Sequence, residues 1–195
     1  MKIVVLGNRG MLGTDLCRAF VPLGEVVGLD KEEVDVTDAA VVTKVIAEHK
    51  PDLVVNATGY TDVDGAEGNR ELAFTLNDEA VKNIAAAASK VGARLVHFST
   101  EYVFSGIEHD GYDEAAAPNP VNVYGQSKAV GERHVVAYER GYLVRTSWLY
   151  GKAPQRGKPR GMNFIDTVLK LAVEKPEVRV VADQFGNLTS TRDLA

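Results

Sequence analysis

Cysteine is nearly absent from this chain, and positive charge is not in excess. Cys17 is the single cysteine among 195 residues, so no intramolecular disulfide can form, and a reducing cytoplasm suits it. No apolar run is long enough to cross a bilayer. The run Ile3 to Leu6 is too short for the core of a signal peptide and leads straight into Gly7. A cytoplasmic protein is therefore expected, neither secreted nor inserted in a membrane. Lys and Arg number 22 against 27 Asp and Glu, a net charge of -5, which argues against nucleic acid or an anionic membrane as partner. His49, His97, His109 and His134 share no metal-ligand spacing, so no metal is expected. The 18 glycines and 7 prolines are scattered, which excludes collagen-like and low-complexity readings.

What remains is ordinary globular composition, 45% hydrophobic and 25% charged, with enough apolar residues for a sizeable core. The length suits one ample domain, or one domain and the start of another. Short β-branched runs alternate with amphipathic stretches. Strands are predicted at Ile3–Leu6, Val26–Leu29, Leu53–Val55, Arg94–Phe98, Leu143–Arg145 and Val178–Val181. Helices are predicted at Met11–Phe20, Ala39–His49 with Asp38 as N-cap, Arg70–Val91, Tyr124–Tyr138 and Asn163–Glu174. Such alternation predicts an α/β fold: a Rossmann-like, doubly wound parallel sheet with helices on both faces.

Two motifs carry chemistry. Gly7-Asn8-Arg9-Gly10-Met11-Leu12-Gly13 joins the first strand to the first helix as G-x-x-G-x-x-G. Glycine there allows a tight turn and lets the backbone approach a pyrophosphate at the helix N-terminus. Asp30 ends the second strand, where a carboxylate accepts the ribose hydroxyls of adenosine. Arg9 and Lys31 beside it favour a 2′-phosphate, so both NADPH and NADH are expected as cofactors. The second motif is Tyr124-Gly-Gln-Ser-Lys128, which puts phenol and ammonium on one helix face. Lowering a phenol from about 10 to about 7 takes roughly 4 kcal/mol of phenolate stabilisation, which a neighbouring Lys and a cofactor charge supply. Ser99-Thr100 closes the fourth strand at the end where open α/β sheets bind ligands. Thr100 would complete a Thr-Tyr-Lys set for polarising a carbonyl; taken alone, it would more plainly be a strand-end residue bonding its own backbone.

The glycine spacing matches the extended short-chain dehydrogenase/reductases. Further segments narrow the match: Asn56-Ala-Thr-Gly-Tyr-Thr-Asp-Val-Asp64 with Ala66-Glu67, Ser99-Thr-Glu-Tyr-Val-Phe104, and Pro120 through Lys128 with Gly131-Glu132. Arg145-Thr-Ser-Trp-Leu-Tyr-Gly151, Asn163-Phe164, Asp183-Gln-Phe-Gly186 and Asp193-Leu-Ala195 follow in order. Across nearly its whole length the chain resembles the dTDP-4-dehydrorhamnose reductase family. That resemblance implies reduction of the C4 ketone of dTDP-4-dehydro-L-rhamnose to dTDP-L-rhamnose, with a dTDP-sugar as partner. It implies cofactor contacts from Gly7, Arg9, Gly10, Met11, Leu12, Asp30, Lys31, Asp35, Val36, Thr58, Gly59, Tyr60, Tyr124 and Lys128. It also implies substrate contacts from Thr100, Glu101, Tyr102 and Trp148, with Tyr124, Lys128 and Thr100 catalytic.

The chain departs from the family pattern at several places. Glu101 stands where Asp is usual, Thr58 and Gly59 where alanines are, and Leu188 where proline is. The pattern ends at Asp193-Leu-Ala195, which opens a further helix in the family. Residues 1–195 are thus expected to form an NAD(P)-binding domain with the beginning of a substrate-binding region, the C-terminal substrate domain being largely absent. Two other readings stay open: an enzyme on another nucleotide sugar, and a non-catalytic subunit resembling the methionine adenosyltransferase beta subunit. A homo-oligomer is compatible with either. Asp62, Asp64 and Glu67 read as loop hydration or as partners for substrate hydroxyls, and Trp148 and Tyr102 as core or sugar-facing aromatics.

Overall fold

The structure is a computed structural model that describes residues 1–157 and 161–195. Strand β1 (Lys2–Leu6) is followed by α1 (Met11–Phe20), β2 (Glu25–Leu29), α2 (Ala39–His49), β3 (Leu53–Asn56) and a short α3 (Val63–Gly68). A long helical stretch comes next: α4 (Arg70–Phe74), a π turn (Thr75–Glu79) and α5 (Ala80–Val91). Then come β4 (Arg94–Thr100), α6 (Val123–Val136), β5 (Gly141–Thr146), β6 (Leu149–Tyr150), α7 (Phe164–Glu174), β7 (Thr189–Ser190) and α8 (Thr191–Leu194).

The main sheet is five-stranded and parallel throughout, in the order β2-β1-β3-β4-β5. Ile3, Val4, Val5 and Leu6 of β1 are each 0% exposed, because helices cover both faces, as a parallel sheet requires. One face carries Val4, Leu6, Val54 and Leu95 against Val42, Ile46, Ile84 and Val135 of α2, α5 and α6. The other carries Ile3, Val5 and Val55 against Leu12 and Leu16 of α1. The chain order changes direction between β1 and β3. Ligands of doubly wound sheets bind at such a point, beyond the carboxyl ends of the strands.

Two sequence expectations need correction. Val178–Val181 is not a strand: its backbone is irregular, it pairs with no strand among the described residues, and Val180 and Val181 are 62% and 64% exposed. The sixth and seventh strands are instead two-residue pieces, β6 and β7, which pair with each other in a separate parallel ladder. The predicted helix over Arg70–Val91 is interrupted at its middle by the π turn. A π turn inserts one extra residue per loop and re-aims the side chains it carries. Here it buries Asn77, whose Oδ1 accepts from Tyr60 N–H at 2.9 Å while Nδ2 donates to Tyr60 O at 3.1 Å and Ser127 Oγ at 3.0 Å.

Asn77 thereby ties the loop after β3 to helix α6. Asn77→Ala strips partners from a buried N–H, a carbonyl and a hydroxyl, so it should destabilise the fold by about 2–4 kcal/mol. Urea denaturation checks this. A loss near zero means that water replaces the amide without cost.

Candidate active site

The carboxyl ends of the strands open on a cleft of about 490 Å³. Its floor is the turn between β1 and α1. Gly7 has φ +81, and a Cβ there would lie 2.9 Å from Ala57 O. A Cβ on Gly13 would lie 2.0 Å from Gly7 O, so the turn closes only on glycine. Gly10 caps α1 with no side-chain hydrogen bond, which leaves the first N–H groups of the helix without a side-chain partner and suited to an anion. Thr61 Oγ1, Ser99 Oγ, Thr146 Oγ1 and Gln155 Oε1 line the same cleft, buried and without hydrogen-bond partners among the described residues. A glycine cradle with unpaired donors and acceptors around it fits a polar, diphosphate-bearing nucleotide. Among the described residues no cluster of His, Cys, Asp or Glu suited to a metal gathers.

The cleft collects nearly the whole predicted cofactor set: Gly7, Gly10, Met11, Leu12, Asp30, Lys31, Asp35, Val36, Thr58, Gly59, Tyr60, Tyr124 and Lys128. Asp35 is held ionised by the Thr37 hydroxyl and N–H, which lower its carboxyl. Arg9 does not line the cleft. Its guanidinium pairs with Glu32 at 2.8 Å and with Glu33, while its backbone N–H donates to Asp30 Oδ2 at 3.0 Å. Arg156, from the segment after β6, reaches the same corner and pairs with Asp30 at 3.5 Å and Glu32 at 3.2 Å. A 2′-phosphate would therefore compete with carboxylates for both arginines.

Asn122 accepts from Gly125 N–H at 2.7 Å and Glu67 Oε1 from Val123 N–H at 2.9 Å, so both side chains secure the start of α6. Neither Asp62 nor Asp64 joins Glu67 in that bond. The helix presents Tyr124 and Lys128, both buried. Lys128 Nζ donates to Phe98 O at 2.6 Å and lies 3.3 Å from His97 Nε2. Burial brings its amine down to about 8, opposed by the Glu132 carboxylate. Burial pushes the Tyr124 phenol up; a hydrogen bond with Thr100 opposes this, and Glu101 and Tyr102 add to it. The sequence led us to expect a phenol lowered by Lys128 together with a cofactor charge; among the chain's own groups desolvation dominates the phenol, and Lys128 Nζ is bonded to Phe98 O rather than to it.

Thr100 Oγ1 donates to Glu101 Oε2 at 2.9 Å and accepts from Tyr102 N–H at 3.2 Å, so it caps the turn that follows β4. The plainer reading of this threonine holds alongside its place next to the phenol. Tyr102 meets Tyr124 edge to face, 5.7 Å between centroids. Trp148 stands apart from the cleft lining. It has φ +42, stacks at a tilt on Phe164 with centroids 5.2 Å apart, and packs so closely on Gly186 that a Cβ there would lie 2.5 Å from its ring.

Comparison with known proteins gives the family of the chain. The profile of the RmlD substrate binding domain matches residues 1–195. The chain belongs to the dTDP-4-dehydrorhamnose reductase family. A family member from Burkholderia thailandensis is 42% identical over 196 residues, covering 100% of this chain and 63% of that protein. A dTDP-4-dehydrorhamnose reductase structure from Clostridium acetobutylicum superposes with TM-score 0.92 at 39% identity, covering 100% of this chain and 67% of that one. One from Bacillus anthracis, in complex with NADP, gives TM-score 0.91 at 40% identity, covering 99% of this chain and 67% of that one. The chain thus spans about two thirds of the length of its relatives.

Sequence reasoning within this family overlooked Asn77, Arg156, Glu32, Glu33 and the contact between His97 and Lys128. Arg156 lies in a glycine- and proline-containing segment with no pattern to mark it, and charged residues after a strand read as solvated surface. The Glu101 carboxylate raises both Tyr102 and Tyr124. Removing its charge in Glu101→Gln should let these phenols ionise at lower pH. Ultraviolet titration of phenolate absorbance should show the shift; superimposable curves mean that Glu101 does not act on them.

Proposed function

We propose that residues 1–195 form the NAD(P)-binding, Rossmann-like domain of a sugar-nucleotide ketoreductase, together with the start of its substrate region. The reaction is reduction of the C4 ketone of dTDP-4-dehydro-L-rhamnose to dTDP-L-rhamnose. The observation that carries this reading is one shared cleft: Tyr124 and Lys128 line it together with the glycine turn and Asp30. A nucleotide whose pyrophosphate rests on the turn and whose adenosine ribose meets Asp30 extends its other end toward Tyr124. When bound, the reduced nicotinamide supplies hydride.

The chain's own residues supply the rest. The raised Tyr124 phenol is protonated across the neutral range, so it stands ready to give its proton to the alkoxide that forms at the ketone oxygen. Thr100, beside the phenol, offers a second hydrogen bond to that oxygen once its own leaves Glu101. Lys128 holds the nicotinamide ribose, and its ammonium balances the phenolate left behind. Glu101 and Tyr102, which adjoin Thr100 and Tyr124, face the sugar. NADPH and NADH both serve, because Asp30 favours a free ribose diol while Arg9, Arg156 and Lys31 offer charge to a 2′-phosphate.

The reading is tested by following NADPH oxidation with dTDP-4-dehydro-L-rhamnose as acceptor. Tyr124→Phe should lower kcat by a factor on the order of 10² or more, with little change in nucleotide affinity. Near-normal turnover in that variant removes Tyr124 from its role. Arg9→Ala should weaken NADPH more than NADH in paired calorimetric titrations. Equal losses mean that the Glu32 and Glu33 carboxylates keep Arg9 from the phosphate.

A further inference from the structure

His97 sits in the middle of the sheet, 0% exposed, and takes part in no step described so far. Each ring nitrogen meets one side chain: Nδ1 is 3.0 Å from Asn56 Nδ2, and Nε2 is 3.3 Å from Lys128 Nζ. Asn56 decides which nitrogen carries the proton. Its Oδ1 accepts from the Thr58 backbone N–H at 3.0 Å and the Thr58 hydroxyl at 2.6 Å. A backbone N–H can only donate, so the carboxamide cannot be turned round, and its NH2 group faces His97. Nδ1 must then accept. Complete burial, with Lys128 alongside, holds the imidazole well below its ordinary value and hence neutral. Its one proton is therefore on Nε2, aimed at Lys128.

An ammonium in that position sets N–H against N–H. A neutral amine instead accepts the Nε2–H on its lone pair and still donates to Phe98 O. We propose that His97, anchored by Asn56, is a positioning residue that orients the Lys128 amine and favours its uncharged form. Burial acts in the same direction, bringing the amine to about 8. The ionisable groups that face the pair are Tyr124 and Glu132 on α6, Arg145 of β5 bonded to Glu132 at 2.8 Å, and Glu101 past the end of β4. Of these, only Glu132 acts directly to keep Lys128 charged, and Arg145 holds that carboxylate in a two-point bond.

The consequence for catalysis rests on the reductase reading: Lys128 balances a phenolate only after taking up a proton and turning from His97. The charge of a bound nucleotide diphosphate favours that uptake. The proposal itself is tested without nucleotide or substrate, by NMR titration of the Lys128 Cε and Nζ resonances. His97→Gln adds no charge and can turn its amide oxygen toward Nζ, so the titration midpoint should rise by about one pH unit. Asn56→Ala also adds no charge: without the carboxamide NH2 facing it, Nδ1 is free to carry the proton and leave Nε2 as an acceptor, so the midpoint should move in the same direction.

Circular dichroism verifies that each variant is folded, and if His97→Gln is not, Asn56→Ala decides alone. An unchanged or lowered midpoint in the folded variant overturns the proposal. A fully active Tyr124→Phe variant would end the reductase reading and leave this titration as it stands.

Discussion

Everything in the cleft is placed by the register of the parallel sheet. One row across it aligns Leu6 with Asn56, Asn56 with His97, and His97 with Leu143. Neighbours in one row of parallel strands share a face, so these four side chains point toward the α5–α6 side. Leu6 is the last residue of β1 and fixes where the glycine turn begins. Asn56 ends β3 and opens the loop that carries Thr58, Gly59 and Tyr60. His97, three residues short of Thr100, sets the depth at which α6 brings Lys128 against the sheet. A slip of one residue would turn this polar row to the α1 face and Ile3 and Val5 to the other. The apolar residues above and below it, all 0% exposed in β1, forbid that slip.

Burial then does the electrostatic work. Tyr124 and Lys128 are both desolvated, and each is pushed toward its neutral form: the phenol upward and the amine downward to about 8. Two neutral groups side by side are the cheaper arrangement in a medium of low dielectric. Charge is stored at the rim instead, where Arg9, Arg156, Glu32 and Glu33, about half-exposed, form a network with the less exposed Asp30. Water at such a rim lets these pairs exchange partners at little cost. A rim of this kind suits binding, and the dry interior suits proton transfer.

Much of this was legible in the sequence. β1, α1 and the glycine turn are local signals: a β-branched run, three glycines and an amphipathic period. The Tyr124–Lys128 spacing places both side chains on one face of any helix, so the structure had little freedom to separate them. What was not legible is what depends on partners. Val178–Val181 has strand propensity but no strand beside it. The π turn at Thr75–Glu79 leaves no mark in an alanine-rich helix, because the constraint that makes it is Asn77 reaching for Tyr60 and Ser127. In the sequence His97 is only one of four histidines without ligand spacing, and its setting waits on β3 to supply Asn56 and α6 to supply Lys128. A lowered phenol was expected from a neighbouring Lys and a cofactor charge; among the chain's own groups desolvation, which spacing cannot show, pushes the phenol the other way.

The central claim is that one nucleotide spans this cleft from Asp30 to Tyr124. A crystal structure of the protein soaked with NADPH tests it most directly, since it reads the position of each end of the molecule. The account predicts the pyrophosphate on the N–H groups after Gly10, the adenosine ribose at Asp30, and the nicotinamide ring beside Tyr124 with its ribose at Lys128. A dinucleotide bound in the opposite sense, or outside this cleft, would contradict it.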